Sequence, residues 1–264
     1  MKIIVCVKQV PDVTEVAFSQ ETNSLIREGV KSKTNPFDKY AIEAAIVLKE
    51  KYGGSVIAMS MGPPQAVSVL QDAVGMGVDD AVLLSDKAFA GADTLATAFT
   101  LSLGIKKLGE FDLIILGKQS TDGSTGQVGP QVAECLDCPH VTNVRNIEID
   151  HSAKTPRLTL EAVCESGYQL IQIKTPCVVT VEREAYEPRH PSLKDFMACR
   201  TYQPRVLNLH DLGVDKDMVG YRGSATEVIK IYKPNLKSGG ILIKGDASEA
   251  AVTLLKKLRV RGYV

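Results

Sequence analysis

IILGKQSTDGSTGQVGP, residues 114–130, is the stretch on which the reading of this chain turns. An apolar run with the texture of a buried strand passes directly into glycine, hydroxyl and amide side chains. Val128, Val132, Ala133 and Leu136 then resume a helical spacing. Strand, glycine-rich loop and helix in that order indicate one step of a parallel α/β sheet. Such sheets hold ligands beyond the carboxyl ends of their strands, where this loop lies.

The residues before it repeat the pattern. Ile3–Val7 reads as a buried strand. Asn35-Pro36 predicts a helix start, with the Asn35 side-chain oxygen as cap and Pro36 at the first position, where a missing N–H costs nothing. Ile42, Ala45 and Ile46 continue that helix and Gly53-Gly54 stops it. Ser55–Met61 is a second strand, and Gly62-Pro63-Pro64 opens a second helix with Val67, Leu70, Ala73 and Val74 inward. Ala81–Leu84 is a third strand. A third helix starts near Asp93-Thr94, with Leu95, Ala98, Phe99, Ser102 and Ile105 on one face, and Leu113–Leu116 is the fourth strand. Right-handed crossovers then bring four loops to one edge, Lys8–Asp12, Met61–Pro64, Ser85–Thr94 and Gly117–Gly129.

From about residue 140 the texture changes. Val141–Ile149, Arg157–Val163, Tyr168–Lys174 and Cys177–Val181 are short and β-rich, which predicts antiparallel strands. Glu182–Pro204 reads as irregular, with Pro188, Pro191 and Pro204. After Gly239-Gly240 a last helix carries Ala251, Leu254, Leu255 and Leu258, an arm suited to reaching another subunit. The expected fold is a doubly wound, mostly parallel Rossmann-like α/β sheet with an added antiparallel part and a C-terminal helical arm. Residues 1–230 form the ligand-binding domain, parallel over about 1–139 and antiparallel over about 140–182, and residues 231–264 form the arm.

Composition narrows the function. The 264 residues carry 31 Lys plus Arg against 31 Asp plus Glu, so the basic excess that nucleic acids and anionic membranes require is missing. The opening apolar run is too short for a secretory segment, and no stretch approaches the ~20 apolar residues of a membrane span. Six scattered cysteines suit a reduced, cytoplasmic setting. Cys135 and Cys138 have the spacing of half a zinc or redox motif, but no second pair and no histidine periodicity accompanies them, so no metal is expected.

The loop is not a Walker A motif, because Asp112 stands where the first glycine belongs and Gln119 where Ser or Thr should follow Lys118. Gly123, Gly126 and Gly129 have the wrong spacing for a dinucleotide fingerprint. Backbone amides of a glycine turn that enters a helix can still cradle a phosphate. FAGADTLAT, residues 89–97, occupies the same edge; Asp93 or Thr94 is either a plain helix cap or part of a diphosphate site. There is no G-x-S-x-G, no H-E-x-x-H and no paired-carboxylate motif, which argues against a hydrolase and for a cofactor that brings its own chemistry.

Against this background several segments resemble the electron transfer flavoprotein β subunits: Val7–Asp12 (VKQVPD), Asn35-Pro36-Phe37-Asp38, Ser60–Pro63 (SMGP), Gly117–Gln127 (GKQSTDGSTGQ), Pro176–Val181 (PCVVTV) and Glu187-Pro188-Arg189. The resemblance covers essentially the whole chain. It implies a heterodimer with an α subunit that carries FAD, and a β pocket holding either a structural AMP or, in the electron-bifurcating branch, a second FAD reduced by NADH. Ala90–Thr97 and the Gly123-containing loop resemble the second branch. Carried over by position, Cys6, Lys8, Asn35, Pro36, Phe37, Asp38 and Met61 line the adenosine side. Asp93, Thr94 and Thr97 hold phosphates and flavin together with Gly117, Lys118, Gln119, Ser120, Thr121, Asp122, Gly123, Ser124, Thr125, Gly126 and Gln127. No side chain is implied as an acid–base catalyst, and no metal. The segment about 182–204 resembles a loop that docks an FAD-dependent dehydrogenase, with Ala185 and Tyr186 as anchor beside Glu187, Pro188 and Arg189; ferredoxin is the implied low-potential acceptor. The contrasting expectation is a β subunit with structural AMP and no redox role.

Overall fold

The computed structural model describes residues 1–12, 17–18, 25–26, 32–150, 156–229 and 240–264. In chain order its elements begin with β1 (Lys2–Cys6), β2 (Gln9–Pro11), β3 (Ala17–Phe18), β4 (Leu25–Ile26), β5 (Ser32–Thr34) and α1 (Pro36–Tyr52). Next come β6 (Ser55–Met61), α2 (Val67–Met76), β7 (Asp80–Leu84), α3 (Thr94–Lys107), β8 (Leu113–Gly117) and α4 (Val128–Cys135). Then follow β9 (His140–Asp150), β10 (Arg157–Cys164), β11 (Gly167–Lys174), β12 (Cys177–Val181), α5 (Leu193–Cys199), β13 (Arg205–Leu207), α6 (Leu209–Leu212), α7 (Gly220–Gly223) and α8 (Ala247–Val260). The chain forms two compact units, Met1–Ile229 and Lys230–Val264.

The first unit is built on a nine-stranded sheet in the order β11-β10-β9-β12-β8-β1-β6-β7-β13. Every neighbouring pair from β9 to β13 is parallel, and only β9-β10-β11 is antiparallel. Alternate residues of β1 go to opposite faces. Ile3 and Val5 pack with α1 and α2 residues such as Ile42 and Leu70, whereas Ile4 and Cys6 pack with α3 and α4 residues such as Leu101 and Val132. Burying one such Ile or Leu side chain contributes roughly 1.5–3 kcal/mol, and both faces of β1 are closed to water.

The chain winds from β1 outward through β6 and β7, and α3 then returns it across to β8 on the other side of β1. The strand order therefore reverses between β1 and β8, the switch point whose carboxyl-end crevice is where sheets of this kind bind ligands.

Three expectations are corrected. Cys177–Val181 is parallel, not antiparallel, because β12 inserts between β8 and β9 and pairs in parallel with both. All five of its residues are buried, the pattern of a central strand covered on both faces. Leu95 faces solvent rather than the core, since it lies in the first turn of α3, and Leu101 takes the inward place further along. The segment 182–204 is not wholly irregular: Ser192 caps α5 by accepting from the Asp195 N–H at 3.2 Å. Residues 205–207 add β13, a parallel edge strand too short to show periodicity. Gly239 lies outside the described residues.

In the second unit, Asp246 caps α8 by accepting from the Glu249 N–H at 2.9 Å. The leucines Leu254 and Leu255 of α8 remain half exposed.

Candidate functional site

The crevice is assembled around the first turn of α1. Pro36 occupies the first helical position, as the sequence implies, but the Asn35 side chain makes no cap. The Asp38 N–H is satisfied instead by the Asn35 backbone carbonyl at 3.0 Å, which leaves the carboxamide free to reach elsewhere. It reaches the glycine loop. Asn35 Nδ2 donates to the Gln119 carbonyl at 2.9 Å and to Asp38 Oδ1 at 2.9 Å, and Asn35 Oδ1 accepts from the Thr121 N–H at 3.2 Å.

Asp38 is the buried centre of this arrangement. Its Oδ2 accepts from the Lys8 N–H at 2.7 Å, and the Lys8 carbonyl accepts from the Asn35 N–H at 2.9 Å. Burial pushes the Asp38 carboxyl up to about 7, although hydrogen bonds from Lys8, Asn35 and the Gly117 backbone pull against it. The neighbouring Cys6 thiol is pushed up to about 12, by burial and then by Asp38, so it stays neutral. Gly117 must be glycine: a Cβ there would lie 2.5 Å from Asp38 Oδ1 and 2.7 Å from the Phe37 carbonyl carbon.

The loop after β8 closes on itself and on β1. The Ser124 N–H donates to the Ser120 carbonyl at 2.8 Å, with Ser124 and Gly126 in the left-handed region. Lys8 Nζ meets both Asp122 carboxylate oxygens at 2.8 Å and Ser120 Oγ at 3.4 Å. Burial alone would raise the Asp122 carboxyl, but the Lys8 ammonium and Ser120 hold it below the usual range. Lys118 faces the other way, pairing with Glu182 at 2.7 Å. Met61, partly buried, ends β6 on the same edge.

The third helix supplies the remaining wall. Asp93 is its cap, accepting from the Ala96 N–H at 2.9 Å. Its second oxygen accepts from the N–H groups of Ala225 and Thr226 at 2.9 Å and from Thr226 Oγ1 at 3.0 Å. These bonds outweigh the burial penalty and keep the carboxyl ionised, so Asp93 is engaged by protein on both oxygens. Thr94 Oγ1 donates to Gln127 Oε1 at 3.0 Å and joins this wall to the loop, while Thr97 lies one turn on. With Gln127 turned to Thr94, the N-terminus of α4 has no capping side chain, and the helix is entered directly from the hydroxyl-rich loop of residues 117–127. That donor set fits a diphosphate.

Sequence reasoning missed the Ser224–Thr226 segment, which has no periodicity to announce it. It also missed two buried side-chain oxygens without a partner among the described residues, Ser60 Oγ and Gln131 Oε1. Ser60 belongs to the quoted SMGP turn, a signal that was there to be followed.

The segment 182–204 is anchored inward. Tyr186 Oη accepts from the Ile147 N–H at 2.8 Å, and Tyr186 and Ala185 pack against the α1 side of the core. Arg189 bridges Glu43 at 2.8 Å and Glu50 at 2.5 Å, beside Pro188 and the exposed Glu187. Leu193, Phe196 and Met197 of α5 are the apolar residues this segment exposes. Among the described residues the six cysteines are unpaired, no helix is long and apolar enough to cross a membrane, and no cluster of metal-ligating side chains is present.

Fold and site together define a doubly wound α/β subunit with a polar crevice at its topological switch point. Residues 22–211 match the electron transfer flavoprotein domain. The chain is 46% identical over 265 residues to the electron transfer flavoprotein subunit beta of Thermoanaerobacterium thermosaccharolyticum, covering 100% of both chains. It is 42% identical over 266 residues, again 100% of both, to the caffeyl-CoA reductase-Etf complex subunit CarD of Acetobacterium woodii. Over 98% of each chain it is 38% identical to the acryloyl-CoA reductase electron transfer subunit gamma of Anaerotignum propionicum. The chain belongs to the electron transfer flavoprotein family, as a relative of its β subunits.

Proposed function

We propose that this chain is the β subunit of a cytoplasmic electron transfer flavoprotein and holds FAD in the crevice between β1 and β8. The observation that carries this reading is the N-terminus of α4, which has no capping side chain and follows directly on the hydroxyl-rich loop, a seat for a diphosphate. FAD bound there would supply the chemistry, taking hydride from NADH and dividing the electrons between ferredoxin and the FAD of the α subunit, which serves a partner dehydrogenase. The chain's own part is to bind and orient. The hydroxyls of Thr94, Thr97, Ser120, Thr121, Ser124 and Thr125 and the amides of 117–127 would hold phosphates and flavin. Cys6, Lys8, Asn35–Asp38 and Met61 would hold the adenosine side. Asp93 would serve indirectly, fixing the start of α3. The names of the relatives in caffeyl-CoA and acryloyl-CoA reductase systems favour a reductase-linked role.

The α8 unit would contact the α subunit through Leu254, Leu255 and Leu258. The 182–204 segment would dock the dehydrogenase, with Leu193, Phe196 and Met197 as its contact residues and Tyr186 as its root.

One observation favours a second reading, a structural AMP: the Lys8 ammonium is already paired with Asp122 in the loop and is not free to neutralise a second phosphate. Acid extraction of the heterodimer purified with its α subunit, followed by a count of nucleotides, separates the two. Two FAD and no AMP supports the first reading. One FAD and one AMP replaces it with the second, and a single FAD with no AMP overturns both.

A further inference from the structure

We propose that Asn35 and Asp38 are positioning residues for the ligand crevice, a buried splint that fixes the loop backbone around Ser120 and the Lys8 peptide relative to each other. This rests on the nucleotide reading above.

The geometry is that of a strand made from a side chain. In a parallel ladder one residue donates to the carbonyl before its partner and accepts from the N–H after it. The Asn35 carboxamide does the same to the residues flanking Ser120, donating to the Gln119 carbonyl and accepting from the Thr121 N–H. Its orientation is fixed by its second Nδ2 bond, to Asp38 Oδ1. The other Asp38 oxygen takes the Lys8 N–H, and the Lys8 carbonyl takes the Asn35 N–H. Both walls of the crevice are thus tied to one carboxylate, and the Ser120 so pinned is the residue whose hydroxyl meets the Lys8 ammonium. A plain helix cap needs none of these bonds across the crevice. An Asn and an Asp that are 1% and 5% exposed incur a desolvation cost that such bonds offset.

The splint also carries a proton signature. Cys6 and Lys8 from the β1 side, Asn35 from α1 and Gly117 from β8 surround Asp38, and Cys6 stays neutral. Lys8, Asn35 and Gly117 all donate. A protonated Asp38 must turn its O–H toward a donor and loses one of these bonds. Its titration at about 7 therefore falls where the grip can be read.

The test uses the heterodimer with its α subunit, with AMP and FAD as probes. Hydrogen exchange of the 118–124 peptide and the rate of nucleotide release are measured for wild type, Asn35→Ala, the isosteric Asn35→Asp, and Asp38→Asn, with urea midpoints alongside. Both Asn35 variants should raise exchange at 118–124 by about tenfold, the equivalent of roughly one hydrogen bond. Release from wild type should quicken as pH falls from 8.5 to 6, while Asp38→Asn releases fast at every pH. Unchanged exchange at 118–124 in Asn35→Asp overturns the splint, and it serves if Asn35→Ala does not fold. A wild-type pH profile in Asp38→Asn overturns the proton signature. A wild type that binds neither AMP nor FAD defeats the nucleotide reading instead, and the exchange data still decide the splint.

Discussion

Lys8 and Asp122 meet at 2.8 Å across the carboxyl ends of β1 and β8, where the strand order reverses. The pair bridges the mouth of the crevice, yet its side chains are 48% and 33% exposed. Exposed pairs of this kind contribute little to stability. Asp122→Ala is expected to cost less than about 1 kcal/mol in urea unfolding at pH 7. Because the Asp122 carboxyl is held low, its small contribution is present above the ordinary carboxylate pKa and disappears as pH falls through the folded value. A loss that grows on acidification would contradict this.

Asp38 behaves in the opposite sense. Its carboxyl, raised to about 7 by burial, binds a proton in the folded chain where the unfolded chain has released one. Stability is therefore greatest below pH ~4 as far as this group is concerned, and is lost as pH rises toward about 7, by roughly 1.4 kcal/mol per pH unit. Asp38→Asn should remove that slope from urea midpoints taken between pH 4.5 and 7. The same slope in the variant would assign it to another group.

Gly129 is buried at the start of α4 against β12, and a Cβ there would lie 2.3 Å from Thr180 Cγ2. Gly129→Ala should destabilise by about 1–3 kcal/mol through overpacking. Thr180→Ser deletes the obstructing methyl but keeps the hydroxyl that accepts from the Asn143 N–H at 3.1 Å. In the Gly129→Ala background it should recover at least half of the loss. A double-mutant cycle with no coupling would show that the helix shifts rather than the side chain.

Arg189 ties the 182–204 segment to α1 through Glu43, which is only 7% exposed, and Glu50, which is 54% exposed. Arg189→Ala strands the Glu43 carboxylate and should cost about 3 kcal/mol, whereas Glu50→Ala should cost less than about 1 kcal/mol. Glu43→Gln in the Arg189→Ala background should restore part of the stability, because a neutral amide tolerates burial better. Equal costs for Arg189→Ala and Glu50→Ala in thermal unfolding would remove the argument.

Much of this was legible in order along the chain. The alternation of apolar runs with glycine- and proline-marked helices gives β1, α1, β6, α2, β7, α3 and β8, because each element buries a face with its own period. The same reasoning failed at Cys177–Val181. Five consecutive buried residues say that a strand is central, not which neighbours it has, and parallel pairing is decided by residues 64 positions away in β8 and 38 away in β9. It also failed at Asn35, whose side chain was read as a local cap: the competing partners, Gln119 and Thr121, are more than eighty residues further on.

Hydrophobic period and turn chemistry are local properties, so the class of fold can be read along the chain. What each polar side chain at the carboxyl edge of the sheet does follows from the folded backbone alone. Asn35 splints the loop, Asp93 holds Thr226, Lys118 turns to Glu182 and Lys8 to Asp122. A hydrogen bond depends on which groups the folded backbone brings within 3 Å, and no periodicity encodes that.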